Sequence, residues 1–118
     1  MNVQEKYQRL EDTVRQYNPG ANFELIHAAF VYAEAHHRGQ NRKDGSPFIT
    51  HPLAVAQIVA QELHLDSESI AAALLHDTIE DTDATHEDIA RTFSPTIADI
   101  VEGVSKLTRV QAASKAEE

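Results

Sequence analysis

Cysteine is absent from the chain, which excludes both disulfides and thiolate metal sites. The absence fits a reducing compartment, and the cytoplasm is the expected location. Long apolar runs are missing too. None approaches the ~20 residues of a membrane span, so no membrane partner is expected. The N-terminus, Met1-Asn2-Val3-Gln4-Glu5-Lys6, is polar and lacks the apolar centre of a signal peptide. Positive charge is scarce. Ten Lys and Arg stand against 19 Asp and Glu, for a net charge of -9. A general nucleic-acid-binding surface would be basic, so direct nucleic acid binding is not expected. A small phosphorylated ligand is not excluded, because a bound divalent cation and a few local Arg or Lys residues override the global sign. No strand-period alternation, internal repeat or low-complexity segment stands out.

What is present is ordinary for a globular protein: 42% hydrophobic and 25% charged residues over 118 positions. That length corresponds to one domain or a piece of one, able to bury roughly two-thirds of its unfolded surface. The pattern throughout is helical. Val3, Tyr7, Leu10, Val14 and Tyr17 make one stripe on a helix over 3–17, stopped by Asn18-Pro19-Gly20. Asn22 caps a second helix whose apolar face is Phe23, Ile26, Phe30 and Ala33, with His37 on the same face, and Gly39 stops it after His36-His37-Arg38. Residues 39–50 form a loop, with turn chemistry at Asp44-Gly45-Ser46-Pro47 and two adjacent cations, Arg42-Lys43. Thr50-His51-Pro52 opens a third helix, with Thr50 or His51 at the cap and Pro52 at the first helical position. Leu53, Val55, Ala56, Ile58, Val59 and Leu63 make that helix apolar on more than one face, so it is expected to be largely buried. Asp66 caps a fourth helix and Thr85 a short fifth, His86–Phe93. Ser94-Pro95 opens a sixth, which runs to about Leu107. The expectation is an all-α domain of about six helices.

The chain is organised around residues 71–83, Ala-Ala-Ala-Leu-Leu-His-Asp-Thr-Ile-Glu-Asp-Thr-Asp. An apolar run ends abruptly in His76-Asp77, and Glu80-Asp81 follow within one helical turn. His51 lies where another apolar helix emerges. Two imidazoles and one carboxylate form a mixed nitrogen and oxygen donor set suited to Mn, Fe, Co, Ni or Zn. Adjacent helical residues point about 100° apart, so His76 and Asp77 converge on one ion only if the helix ends or loosens there. Glu80 and Asp81 are placed to orient or deprotonate a water.

Two segments carry a resemblance: 36–52, His-His-Arg-Gly-Gln-Asn-Arg-Lys-Asp-Gly-Ser-Pro-Phe-Ile-Thr-His-Pro, and 75–83, Leu-His-Asp-Thr-Ile-Glu-Asp-Thr-Asp. Together with 100–108, Ile-Val-Glu-Gly-Val-Ser-Lys-Leu-Thr, they resemble the N-terminal hydrolase domain of the RelA/SpoT-homologue family. The resemblance covers nearly the whole chain, from about residue 5. It implies an HD-superfamily helical bundle that hydrolyses the 3'-pyrophosphate of (p)ppGpp, giving GDP or GTP plus pyrophosphate, with Mn2+ as cofactor. It implies His51, His76 and Asp77 as metal ligands. It implies Glu80 and Asp81 as the pair that activates water, and Arg42, Lys43 and Ser46 as residues of the guanosine-nucleotide loop. The family's fourth metal ligand, an Asp in an Ala-Asp-Arg-Leu-His-Asn-Met-Arg-like segment on a later helix, has no counterpart in this chain. Asp99 and Glu102 lie outside the matching motif.

The 118 residues are therefore expected to form the N-terminal part of such a domain, lacking its C-terminal helices, with activity incomplete. The alternatives are an HD phosphohydrolase acting on another nucleotide, or a catalytically inactive helical regulatory or interaction module. An incomplete bundle is expected to leave an apolar surface that a second copy can cover, giving a homo-oligomer. Light scattering at high concentration tests this: a dimer or larger species is expected, and a strictly monomeric chain contradicts it.

Overall fold

The computed structural model describes residues 2–104. Among these residues the fold is all-helical: α1 (Val3–Tyr17), α2 (Phe23–His37), α3 (Thr50–Leu63), α4 (Ser67–Leu75), α5 (Thr78–Asp81) and α6 (His86–Thr92). A further helical segment, α7, spans 95–104. The expected continuation of that helix to about Leu107, and the segment after it, lie outside the described residues. Among the described residues the one ladder feature is an isolated antiparallel bridge between Asn41 and Pro47.

Helix starts follow the expected caps. Asn22 accepts from the Leu25 amide and Asp66 from the Ser69 amide. Thr85 accepts from Asp88 N–H, while the Asp88 carboxylate takes the Thr85 N–H, closing a capping box. Asn2 and Glu5 close another at the start of α1. Gly39 takes a positive φ of 89° just past the end of α2, the conformation that the αL helix stop requires.

The start of α3 differs from expectation. The helix begins at Thr50 and its cap position, Ile49, is already helical, with no side-chain cap. The chain winds in through a preceding turn instead. Thr50 and His51 amides donate to the Pro47 and Phe48 carbonyls, and Thr50 Oγ1 donates to Pro47 O at 2.7 Å. Pro52 then occupies the third helical position, where an amide is still not needed within the helix. The burial of α3 also differs. Pro52, Leu53, Ala56 and Ala60 face the core, but Ile58 and Leu63 are 60% and 63% exposed, so only one face is covered.

The core centres on α4. Ile70, Ala71, Leu74 and Leu75 are fully buried, and Ala72 nearly so. This helix packs against both α2 and α3, α1 packs on α3, and α5 rests on α2. Small side chains at Ala71 and Ala72 bring α4 close to Ala29 and Ala33 of α2 and Ala56 and Ala60 of α3, all in the same apolar cluster. Each large aliphatic chain buried there contributes roughly 1.5–3 kcal/mol of transfer free energy. The consequence for function is placement: a rigid helix delivers its C-cap residue, His76, to a fixed point at the bundle's edge.

The α3–α4 turn is held from α1. His64 adopts a left-handed conformation at φ 49° and stacks on Tyr17, whose hydroxyl donates to Leu65 O at 2.7 Å. At the other end of the bundle, His86 links α6 to α7 through Asp99 Oδ1 at 2.9 Å and Glu102 Oε2 at 3.6 Å. The hydrogen bond to Asp99 and the neighbouring carboxylates raise the His86 pKa above its ordinary value. A raised folded-state value means the pairing stabilises the fold at pH below the ordinary histidine range and is lost as pH rises through the raised value. His86 should therefore titrate above the ordinary value when followed by NMR, and Asp99→Asn should bring it back down. An unchanged titration in that variant would show that Asp99 is not the partner.

Candidate metal centre

The helix does end where convergence requires it. Helix α4 stops at Leu75, His76 is its C-cap, and Asp77 sits at φ -96°, ψ -2°, outside a regular helix. A separate one-turn helix, α5, then carries Glu80 and Asp81; the sequence pattern indicated polar residues here but no second helix. The break turns Asp77 back toward His76 and toward His51, which comes from the first turn of α3. His76 Nε2 lies 3.0 Å and His51 Nε2 3.3 Å from the same oxygen, Asp77 Oδ2. One donor atom from each of the three residues falls within 4.8 Å of the others. His51 is more open to solvent than its partners: its side chain is 37% exposed, against 12% for His76 and 14% for Asp77.

The donor chemistry fits a cation. His76 Nδ1 is 2.6 Å from the Ala73 carbonyl, which can only accept, so Nδ1 carries the proton. The lone pair of a neutral His76 is then on Nε2, directed at the site, as in metal-ligating histidines with a carbonyl behind them. Without a cation, two imidazole nitrogens crowd one carboxylate oxygen, and the titration directions show how that is accommodated. Burial disfavours charge on His76, but the hydrogen bonds to Asp77 and Ala73 and the charges of Asp77 and Asp81 outweigh it, and its pKa rises. Burial likewise disfavours the Asp77 carboxylate, yet His76, His51 and His37 together hold its pKa below the ordinary value. His51 goes the other way: burial, helped by the positive charges of His76 and Arg42, lowers its pKa against the pull of Asp77. The site thus keeps an anionic carboxylate and one imidazole biased toward neutrality, a ligand set ready for a divalent ion.

Asp81 responds to the same field. Burial and the charges of Asp77 and Glu80 raise its pKa, making it the more basic for its position beside the trio. The α5 turn that holds it is closed by Asp81 N–H to Asp77 O at 3.0 Å and by Thr82, whose amide and hydroxyl both donate to Thr78 O. Buried Thr78 anchors the turn from beneath through Oγ1 to Leu75 O at 2.7 Å. Asp99 and Glu102 are engaged with His86 and do not join this group.

The loop residues 39–49 form a tight hairpin-like turn beside the trio. Arg42 N–H donates to Ser46 O at 2.8 Å and Gly45 N–H to Arg42 O at 2.9 Å, with Gly45 at φ 89°. Asp44 Oδ1 accepts from both the Ser46 amide and the Ser46 hydroxyl. Arg42 and Lys43, with Asn41, Asp44 and Phe48, line an open depression of about 470 Å³. Ser46 does not line it, since its hydroxyl is turned to Asp44. Phe48 joins the depression to the trio, with its ring edge-on to His51 at 5.8 Å.

Two further residues join the site: Gln40, which the sequence pattern does not mark, and His37, which falls on the apolar face of the second helix. Gln40 Nε2 donates to the Asp81 carbonyl at 2.7 Å, bridging loop and α5. His37 is buried, packs on Phe48 with ring centroids 4.6 Å apart, and approaches Gln40 Oε1 at 3.2 Å through Nδ1. A buried polar pair of this kind has no periodic signature. The only hint in the sequence is an imidazole and an amide on either side of the Gly39 helix stop.

Comparison with known proteins shows what the chain is similar to. A model of the HD domain family matches residues 29–118. The GTP pyrophosphokinase rsh of Brucella melitensis is 47% identical over 106 residues, covering 90% of this chain and 14% of that protein. The bifunctional (p)ppGpp synthase/hydrolase SpoT of Escherichia coli is 43% identical over 111 residues, covering 94% of this chain and 16% of that protein. Among solved structures, one described as a metazoan ortholog of SpoT that hydrolyzes ppGpp and plays a role in starvation responses matches with a TM-score of 0.66. Its identity is 34%, over 69% of this chain and 47% of that one. The chain thus spans about one-seventh of the length of these two curated relatives. It belongs to the HD domain family, and its relatives there are RelA/SpoT proteins.

Proposed function

We propose that this chain carries the metal- and water-handling face of a (p)ppGpp 3'-pyrophosphohydrolase, acting in the cytoplasm. The observation that supports this most is the meeting of His51, His76 and Asp77 from three separate local structures, with a carboxylate pair one turn further on. In this reading His51 Nε2, His76 Nε2 and Asp77 would hold Mn2+. A divalent ion bound there supplies Lewis acidity toward phosphate oxygens and water. An ion held by these three residues would also be able to take water and phosphate oxygens as ligands.

The chain's own residues do the rest. Asp81, raised in basicity by burial and by the charges of Asp77 and Glu80, would accept a proton from the water as its oxygen bonds to the phosphorus attached to the ribose 3' oxygen. The bond from that phosphorus to the 3' oxygen breaks, pyrophosphate leaves and the 3' oxygen takes a proton from solvent, while Glu80 orients the water from the same turn. The Ala73 carbonyl keeps His76 in the tautomer that presents Nε2. Arg42 and Lys43 meet the negative phosphates at the open depression, a local reversal of the chain's net charge of -9. Phe48 offers an apolar face between that depression and His51. Ser46, held by Asp44, sets the curvature of the loop that presents both cations.

Titration with Mn2+, followed by calorimetry or by the ion's paramagnetic resonance signal, should show a single site. His51→Ala, His76→Ala and Asp77→Ala should each weaken it by about 100-fold or more, beyond the 10–100-fold typical of losing an outer partner. Their helical circular dichroism should persist. Unaltered Mn2+ affinity in all three would remove the ligand assignment.

Incubation of a longer form of the protein with ppGpp and Mn2+ should release pyrophosphate, with this chain assayed beside it. Asp81→Asn should cut kcat by about 10²–10⁴-fold, the usual range for removing a general base, with Mn2+ affinity retained. Metal binding without any pyrophosphate release would favour the interaction-module reading instead.

A further inference from the structure

One polar network beside the site has no part in the reading above. Gln40 makes four hydrogen bonds, two through its backbone and two through its side chain. Its amide donates to His37 O at 3.0 Å, and its carbonyl accepts from Phe48 N–H at 2.9 Å. Its side chain spans a much longer sequence distance. Nε2 donates to the Asp81 carbonyl at 2.7 Å, and Oε1 faces His37 Nδ1 at 3.2 Å.

The chemistry fixes the direction of each bond. A backbone carbonyl cannot donate, so the end of Gln40 at Asp81 is the NH2 group. The other end is the carbonyl oxygen, so His37 Nδ1 must carry a proton and donate. His37 is held in that role by burial, at 2% exposure, and by its packing on Phe48. His37 Nε2 is buried with no hydrogen-bond partner among the described residues, so the ring's only polar tie is to Gln40.

The recipient of this bond matters. Helix α5 is a single turn of four residues, too short to be stable by itself. Its last carbonyls have no partner within the helix. Gln40 takes one of them, that of Asp81 itself. It thereby ties the acidic turn to the loop that carries Arg42 and Lys43, and to Phe48, which touches His51.

We infer that Gln40, oriented by His37, is a positioning residue that fixes Asp81 at a set distance from His51, His76 and Asp77. The inference rests on the role proposed above for Asp81, and it carries a structural consequence that can be read without any reaction. Gln40→Met keeps the length of the side chain and removes both of its hydrogen bonds. Gln40→Glu keeps its shape and removes the donor to Asp81, so it serves if the methionine variant folds poorly.

Hydrogen exchange is the first readout. The amides of Asp81 and Thr82, which close α5, should exchange at least about tenfold faster in either variant, while those of Leu74 and Leu75 in α4 stay protected. Unchanged exchange at Asp81 and Thr82 overturns the inference.

Turnover of ppGpp with Mn2+ is the second. The kcat should fall by about 10–100-fold, the range seen when an outer partner of a site is lost, with KM and Mn2+ affinity within about twofold. In an Asp81→Asn background the Gln40 substitution should cost nothing further. An equal loss in both backgrounds would mean that Gln40 acts on the fold and not through Asp81, and would sink the inference. If the unsubstituted chain releases no pyrophosphate, the functional reading fails, and the exchange arm alone decides whether Gln40 clamps α5.

Discussion

The structure turns on one oxygen. Asp77 Oδ2 has His76 Nε2 at 3.0 Å and His51 Nε2 at 3.3 Å, and a largely buried carboxylate flanked by two imidazoles is held best when positive charge is shared among them. A proton on one imidazole satisfies that condition weakly, and a divalent ion satisfies it well. Everything nearby is shaped by the need to bring those three groups together. A continuous helix through residues 76 and 77 would splay them by about 100°. Ending α4 at Leu75 and restarting at Thr78 removes that divergence.

Breaking a helix leaves backbone groups without partners, and the local sequence supplies them. Thr78 Oγ1 takes the Leu75 carbonyl, His76 Nδ1 takes that of Ala73, and Thr82 Oγ1 takes that of Thr78. The two threonines and the histidine are thus part of the device that makes the turn, not inert spacing between acidic residues. The core behind them is correspondingly rigid, with Leu74 and Leu75 fully buried against α2 and α3. Precision at the edge derives from packing at the centre, because a close-packed interior admits few alternative positions for the residue that follows it.

Much of this is legible without coordinates. The capping residues Asn22, Asp66 and Thr85 announce helix starts because only short polar side chains satisfy the first amides. Gly39 announces a stop because it reaches a positive φ without a steric penalty. The His76-Asp77 junction stands out because an apolar run ends there without a turn residue. Other features escape for identifiable reasons. Helix α5 is too short to show a period, and its residues read as an acidic loop. The start of α3 at Thr50 is legible, but its cap is not, because backbone carbonyls of Pro47 and Phe48 serve in place of a capping side chain. Ile58 and Leu63 suggest a helix buried all round, yet they face outward, since apolarity in a sequence does not say which face a neighbour covers. Gln40 and His37 act through one long-range hydrogen bond across 41 positions, and nothing local encodes that.

Metal binding by the trio of His51, His76 and Asp77 is the central requirement. Crystals grown with Mn2+ and measured at the manganese absorption edge give the most direct answer. A single anomalous peak within coordination distance of His51 Nε2, His76 Nε2 and an Asp77 oxygen is the predicted result. A fully loaded crystal with no peak there, and the three side chains still paired as they are in this structure, would contradict it.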